Sequence, residues 1–146
     1  MYCYPDTDVL INKLDIHDKA ELKQTEEEFT AAKQMALLQE PIKGRFTKTH
    51  LFRIHRFLFE DVCPFAGHIR KEQISKGDMM FCPPDLIDRE LDRMFKNIHS
   101  KKLLAEQDEE KRIQNLSQTM AERNIIHPFR EGNGRCTREL IRCMAL

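Results

Sequence analysis

Within twelve residues, the stretch "HPFREGNGRCTR" at 127–138 sets out His127, Glu131, Gly132, Asn133, Gly134, Arg135 and Arg138. Pro128 and Gly132 interrupt the helical pattern, and a turn that feeds a helix leaves main-chain N–H groups free to form a concavity complementary to phosphate. Gly132 and Gly134 permit close approach and unusual dihedrals, while Asn133 contributes an amide between them. Arg135 and Arg138, three residues apart, reach the same region with planar donors. Such a set suits a polyphosphate better than a single carboxylate.

Glu131 would repel that ligand unless a cation intervened. Mg²⁺ is the ion ordinarily held by one or two carboxylates together with substrate phosphates, so the residue predicts a metal arriving with a nucleotide. His127, four residues earlier, has the near-neutral pKa required to take a proton from an incoming hydroxyl. Phe129 is expected to bury its ring and anchor the loop. Taken singly these features are ordinary: a GxG is weak, and a lone histidine or arginine pair is more often structural. Together they point to phosphoryl or nucleotidyl transfer without separating the two.

The rest of the chain narrows the setting. Its 146 residues, 40% hydrophobic, allow one domain with a real core. Lysine plus arginine number 24 and aspartate plus glutamate number 24, so any anion site must be local, and a nucleic-acid partner is not expected. No basic-then-apolar leader and no apolar run near ~20 residues occurs, which predicts a cytoplasmic protein without a membrane partner and leaves room for delivery elsewhere. Five cysteines form no CxxC pair and read as reduced thiols. His50 and His55 are five apart and no HExxH occurs, which disfavours a zinc hydrolase; the absence of GxxxxGK[ST] disfavours a P-loop enzyme.

The elements that must position the motif are mostly helical. An irregular arm over about 1–18 precedes "KAELKQTEEEFTAAKQMALLQ", read as an amphipathic helix ending at Pro41, with Leu22, Phe29, Ala32, Met35 and Ala36 on its apolar side. "TKTHLFRIHRFLFEDV" follows with Leu51, Phe52, Ile54, Leu58 and Phe59 inward. Residues from about 65 to 83 lack a helical period and carry the turn-like Lys76-Gly77-Asp78, so they read as a hairpin or ordered loop. A third helix runs from Asp85 with Leu86, Leu91, Met94, Phe95 and Ile98 inward. A fourth begins in "EQDEEKR" and leads through Ile113, Leu116, Met120 and Ile125 to the motif. A fifth, from about Arg135, separates Arg138 and Arg142 from Leu140, Ile141 and Met144. The expected fold is all-α, a single domain over 1–146 with one small β excursion. The chain stops at Leu146, about three turns into the last helix, which raises the expectation of a truncated carboxy-terminal end.

The motif resembles the signature of the Fic (filamentation induced by cAMP) family, H-x-F-x-(D/E)-G-N-G-R-x-x-R. His127, Phe129, Glu131, Gly132, Asn133, Gly134, Arg135 and Arg138 all match it. A looser likeness extends to "YPDTDVLINKLDI" and "THLFRIHRFLFEDVCPFAGHIRKEQISKGDMMF". The resemblance implies a compact helical domain that transfers AMP from ATP to a Ser, Thr or Tyr hydroxyl of a protein target and releases pyrophosphate. It implies His127 as general base, Glu131 as the Mg²⁺ ligand, Gly132, Asn133 and Gly134 around the transferring phosphate, and Arg135 and Arg138 on the outer phosphates. It also implies a target-docking flap formed by Gly67, His68, Ile69, Arg70, Ile74, Ser75, Lys76, Gly77, Asp78, Met79 and Met80. Relatives that use another phosphate-containing donor, and catalytically silent or externally inhibited ones, remain alternatives. Many relatives carry an inhibitory (S/T)xxxE(G/N) helix whose glutamate meets the second motif arginine. No Ser or Thr here begins that pattern, so Arg138 is expected to lack such a partner, with restraint expected either from a separate antitoxin-like protein or from a carboxy-terminal segment beyond Leu146.

Overall fold

Helix boundaries fall where the local chemistry sets them. The computed structural model describes residues 2–146. Helix α1 (Lys19–Gln39) starts at Asp18, whose carboxylate accepts from the Glu21 N–H at 3.2 Å, and stops before Pro41. Thr47 caps α2 (Lys48–Phe59) in the same way, and Asp108 caps α4 (Glu109–Ile126) by accepting from the Glu110 and Lys111 N–H groups. Helix α3 (Pro84–Ser100) begins with proline in its first turn, where a missing N–H costs nothing. Helix α5 (Asn133–Ala145) has Gly132 before it and no side-chain cap. A short antiparallel hairpin, β1 (Ser75–Lys76) and β2 (Met79–Met80), pairs Ser75 with Met80 and Lys76 with Met79. A single 3-10 turn lies at Leu103–Ala105, and the arm folds on itself through a Cys3–Leu10 bridge.

Helix α2 is the hub, packing against α1, α3 and α5, while α4 lies against α3 and α5. The core joins Leu51, Ile54 and Leu58 of α2 to Ile87, Leu91 and Phe95 of α3 and to Cys136, Leu140 and Met144 of α5. Each large apolar side chain removed from water contributes ~1.5–3 kcal/mol, which anchors both helices that flank the motif. The architecture is all-α with a small β-hairpin, as expected.

Two helices present a different face from the one their apolar residues suggest. On α1, Phe29 is 40% exposed and Met35 63% exposed, and the buried side chains are Thr30 and Leu37. The inward row is Leu22, Glu26, Thr30 and Leu37, and two polar members hid it. On α4, Ile113 and Ile125 are exposed, while Thr119, Arg123 and Ile126 are buried. In both cases buried polar groups with partners outrank the simple apolar pattern: the Thr30 hydroxyl donates to the Glu26 carbonyl and that of Thr119 to the Asn115 carbonyl.

Candidate functional site

The motif lies in the turn from α4 to α5. His127 follows the last turn of α4 in a left-handed conformation, φ +48° and ψ 64°. This conformation costs a side-chain-bearing residue ~1–2 kcal/mol, so neighbouring contacts must hold it. Arg70 supplies them. Its Nε donates to the His127 carbonyl at 2.7 Å, and Nη2 donates to the Cys82 carbonyl at 2.5 Å and the Ile126 carbonyl at 3.2 Å. Nη1 takes the Glu72 carbonyl at 2.8 Å, and the Arg70 N–H donates to the Pro128 carbonyl at 2.9 Å. The imidazole of His127 lies flat on Phe81, with ring centroids 3.9 Å apart and planes 9° apart.

The middle of the turn closes on itself. Asn133 donates from Nδ2 to the Phe129 carbonyl at 2.6 Å and accepts at Oδ1 from the Phe129 N–H at 2.9 Å. Its side chain is therefore committed to the loop, and only its main chain faces the site. Phe129 is fully buried and stacks on His55 with centroids 3.7 Å apart. Gly132 takes φ +79°, and a Cβ there would fall inside the van der Waals surface of the Phe59 ring. Both constraints demand glycine.

What remains open is the start of α5. Its first helical bond runs from the Cys136 N–H to the Gly132 carbonyl, so the N–H groups of Asn133, Gly134 and Arg135 precede the ladder. They have no side-chain cap, and their residues border a depression of about 210 Å³ lined also by His127, Arg130, Glu131, Gly132 and Arg138. That concavity is complementary to an anion. The arrangement brings together His127, Glu131, the Gly132-Asn133-Gly134 backbone, Arg135 and Arg138.

The two motif arginines differ. Arg135 pairs with Glu26 of α1 at 2.5 Å and lies over the Phe59 ring, 4.8 Å from its centroid. Arg138 makes no ion pair among the described residues, and its guanidinium lies beside Gly134, 3.1 Å from where a Cβ would stand. The carboxylate of Glu131 is exposed and, among the described residues, has only the Gly132 N–H, at 3.4 Å. No group of three or more His, Cys, Asp or Glu side chains among the described residues is placed to hold a metal. A lone open carboxylate fits an ion whose other ligands are phosphates and water, as Mg²⁺ prefers.

Burial and the neighbouring cations Arg123 and Arg70 push the His127 pKa down to about 4. The imidazole is therefore in its neutral, proton-accepting form throughout the physiological range, but its pKa lies well below the near-neutral value expected from the sequence, because burial and two cations disfavour the charged ring. Arg123 is fully buried, donates to the Thr137 hydroxyl and the Asn133 carbonyl, and has no partner at Nε or Nη1. Desolvation brings its pKa down to about 10, still charged at neutral pH.

The flap segment divides in two. His68, Ser75, Lys76, Gly77, Asp78, Met79 and Met80 are exposed, and Ile74 is half-buried. Gly67, Ile69 and Arg70 instead form its base: Arg70 is 1% exposed, and the Gly67 N–H donates to His55 Nδ1 at 2.9 Å. The motif alone did not disclose Arg123 or His55. Each is a polar residue on the buried stripe of a helix, and that misplacement was the available signal.

A family model for Fic/DOC matches residues 45–145. The chain belongs to the Fic/DOC family. The "Probable protein adenylyltransferase y4lH" of Sinorhizobium fredii is 37% identical over 134 residues, covering 91% of this chain and 68% of that protein. The N-terminal Fic domain of a VirB-translocated effector from Bartonella sp. AR 15-3 superposes with a TM-score of 0.93 at 25% identity, covering 99% of this chain and 71% of that one. The BepC protein of Bartonella tribocorum, solved with bound AMPPNP, gives 0.88 at 24% identity, with 99% and 76% covered. No helix among the described residues of the Fic chain is long and apolar enough to cross a membrane.

Proposed function

We propose that this Fic-family chain is a protein adenylyltransferase, moving AMP from ATP to a Ser, Thr or Tyr hydroxyl of a protein target. The observation that carries the reading is the uncapped start of α5 opening beside a neutral imidazole. The Asn133, Gly134 and Arg135 N–H groups receive the α-phosphate region, and Arg135 and Arg138 take the outer phosphates. His127 removes the hydroxyl proton as the acceptor oxygen forms its bond to the α-phosphorus. The bond from that phosphorus to the bridging oxygen breaks, and pyrophosphate carries away the electron pair. Glu131 would hold Mg²⁺, which when bound offsets the negative charge of the phosphates. The exposed flap residues 75–80 offer an unpaired strand edge to an extended target segment. Arg138 makes no ion pair among the described residues, which leaves its guanidinium open to the outer phosphates.

Incubation with ATP labelled at the α-phosphorus, with candidate target proteins, tests the reading. Protein-bound label with release of unlabelled pyrophosphate is the expected result. Protein that stays unlabelled with this ATP but takes label from ATP marked at the γ-phosphorus would replace AMP transfer with phosphoryl transfer. Crosslinking from residues 75–80 to a modified target checks the docking edge, and a footprint confined elsewhere would remove the flap from that role.

A further inference from the structure

His55 is completely buried on α2, far in sequence from the motif, yet both of its ring nitrogens are engaged by the site's main chain. Nε2 lies 2.9 Å from the Glu131 carbonyl oxygen, and Nδ1 lies 2.9 Å from the Gly67 nitrogen. A carbonyl can only accept and a main-chain N–H can only donate. Nε2 must therefore carry the proton and Nδ1 must not, which fixes a single neutral tautomer. The ring has little freedom to turn, because it stacks on Phe129 with planes 15° apart and lies 4.7 Å from the Phe59 centroid.

The consequence is a tether at the second end of the motif turn. Arg70 holds the turn at His127 and Pro128, and His55 holds it at Glu131. The two tethers share the base of the flap: Arg70 lies within it, and His55, from α2, accepts at Nδ1 from its Gly67 N–H. Fixing the Glu131 carbonyl fixes the adjoining peptide plane and so the direction in which its Cα–Cβ bond leaves the chain. The Glu131 side chain itself has little else to orient it, among the described residues only the Gly132 N–H at 3.4 Å.

We propose that His55 is a positioning residue for the Mg²⁺–nucleotide site: by donating from Nε2 to the Glu131 carbonyl, it aims the Glu131 carboxylate into the phosphate depression. The inference rests on the reading of Glu131 as the metal-holding carboxylate. It also couples the flap base to the metal site through one ring, because loss of the imidazole releases Gly67 and Glu131 together. Outer groups that orient a metal ligand typically change metal affinity ~10–100-fold when removed.

Two substitutions separate orientation from packing. His55→Gln places an amide donor near the Nε2 position and can keep the Glu131 bond. His55→Asn places its polar atoms near the Nδ1 position and can keep only the Gly67 bond. Both lose the stack on Phe129. The measurement is calorimetric ADP binding as Mg²⁺ is titrated, with thermal unfolding of each variant alongside, and it requires no transfer activity. H55N should raise the Mg²⁺ concentration needed for half-maximal binding at least ~10-fold. H55Q should stay within about threefold of the wild type despite a comparable stability loss, the donor being what counts. Equal displacement of both variants, with the wild type still Mg²⁺-dependent, overturns this inference alone. ADP binding by the wild type that ignores Mg²⁺ overturns the role of Glu131 as well. A second measurement needs no variant: ¹⁵N imidazole spectra of the wild-type protein should show His55 protonated at Nε2, and protonation at Nδ1 would overturn the tether.

Discussion

The motif turn and the flap tip are neighbours built on opposite principles. In the turn, Phe129 and Asn133 exchange two hydrogen bonds, Arg70 and His55 grip the main chain from outside, and the rings of Phe59, Phe81 and Phe129 fill the space behind. The tip has two-residue strands whose side chains are all exposed, and nothing stands within 4 Å of the place a Cβ would occupy at Gly77. Chemistry on a phosphorus atom needs donors fixed in advance, so the turn is over-determined. A docking edge that must accept a segment of another protein needs free main-chain groups instead.

The strongest way to break the comparison is at His127. H127A should lower AMP transfer at least ~100-fold while leaving Mg²⁺–nucleotide binding nearly unchanged, read by single-turnover assay and calorimetry. Undiminished transfer would remove the imidazole from the proton step. Next comes the packing of the turn. G132A adds both a strained φ and a clash with Phe59, and should cost ~1–3 kcal/mol in urea unfolding.

Acid should act on the turn and spare the tip. Burial drives the His55 pKa down to about 3, and His127 stands at about 4, both below the ordinary 6.5. The unfolded chain therefore binds more protons once the pH falls below ~6.5, so stability is full above that value and declines as pH drops toward 4. At pH 5.5 each of the two histidines accounts for about 1 kcal/mol, so the fall in urea midpoint between pH 7 and 5.5 should shrink by roughly half in H55Q. A flat profile from pH 7 to 5 would contradict a buried, neutral His55. The smallest effect belongs to the flap. G77A carries a φ of +61° but meets no neighbour, so its cost of ~1 kcal/mol should appear as faster amide exchange in residues 74–81, with the global midpoint unmoved.

The same contrast explains what could be read from sequence. The motif was legible because its residues are close along the chain and each is chosen for a property that composition reveals: glycine for space, arginine for charge, histidine for titration. The end of α1 was legible through Pro41, which acts locally; Asp18, Thr47 and Pro84 mark helix starts by equally local means that the apolar pattern did not single out. The supports were harder. His55 and the Glu131 carbonyl are separated by 76 residues, and Arg70 and the His127 carbonyl by 57, so nothing local announces either bond. The α1 face was misread for a related reason. Glu26 turns inward to meet Arg135, a partner more than a hundred positions away, while Phe29 and Met35 take the outside.

Arg70 and Arg123 share one further property. Among the described residues every hydrogen-bond acceptor of these two guanidinium groups is a carbonyl or a hydroxyl, and neither pairs with a carboxylate. Dissolved ions cannot approach charges enclosed in protein as they approach charges at the surface. Arg135 and Arg138, facing the depression, should lose attraction for phosphate as ionic strength rises, whereas the two arginines behind the turn keep theirs. Nucleotide affinity plotted against salt should fall and then level off, and the plateau is the part of the binding field that the fold keeps away from the solvent.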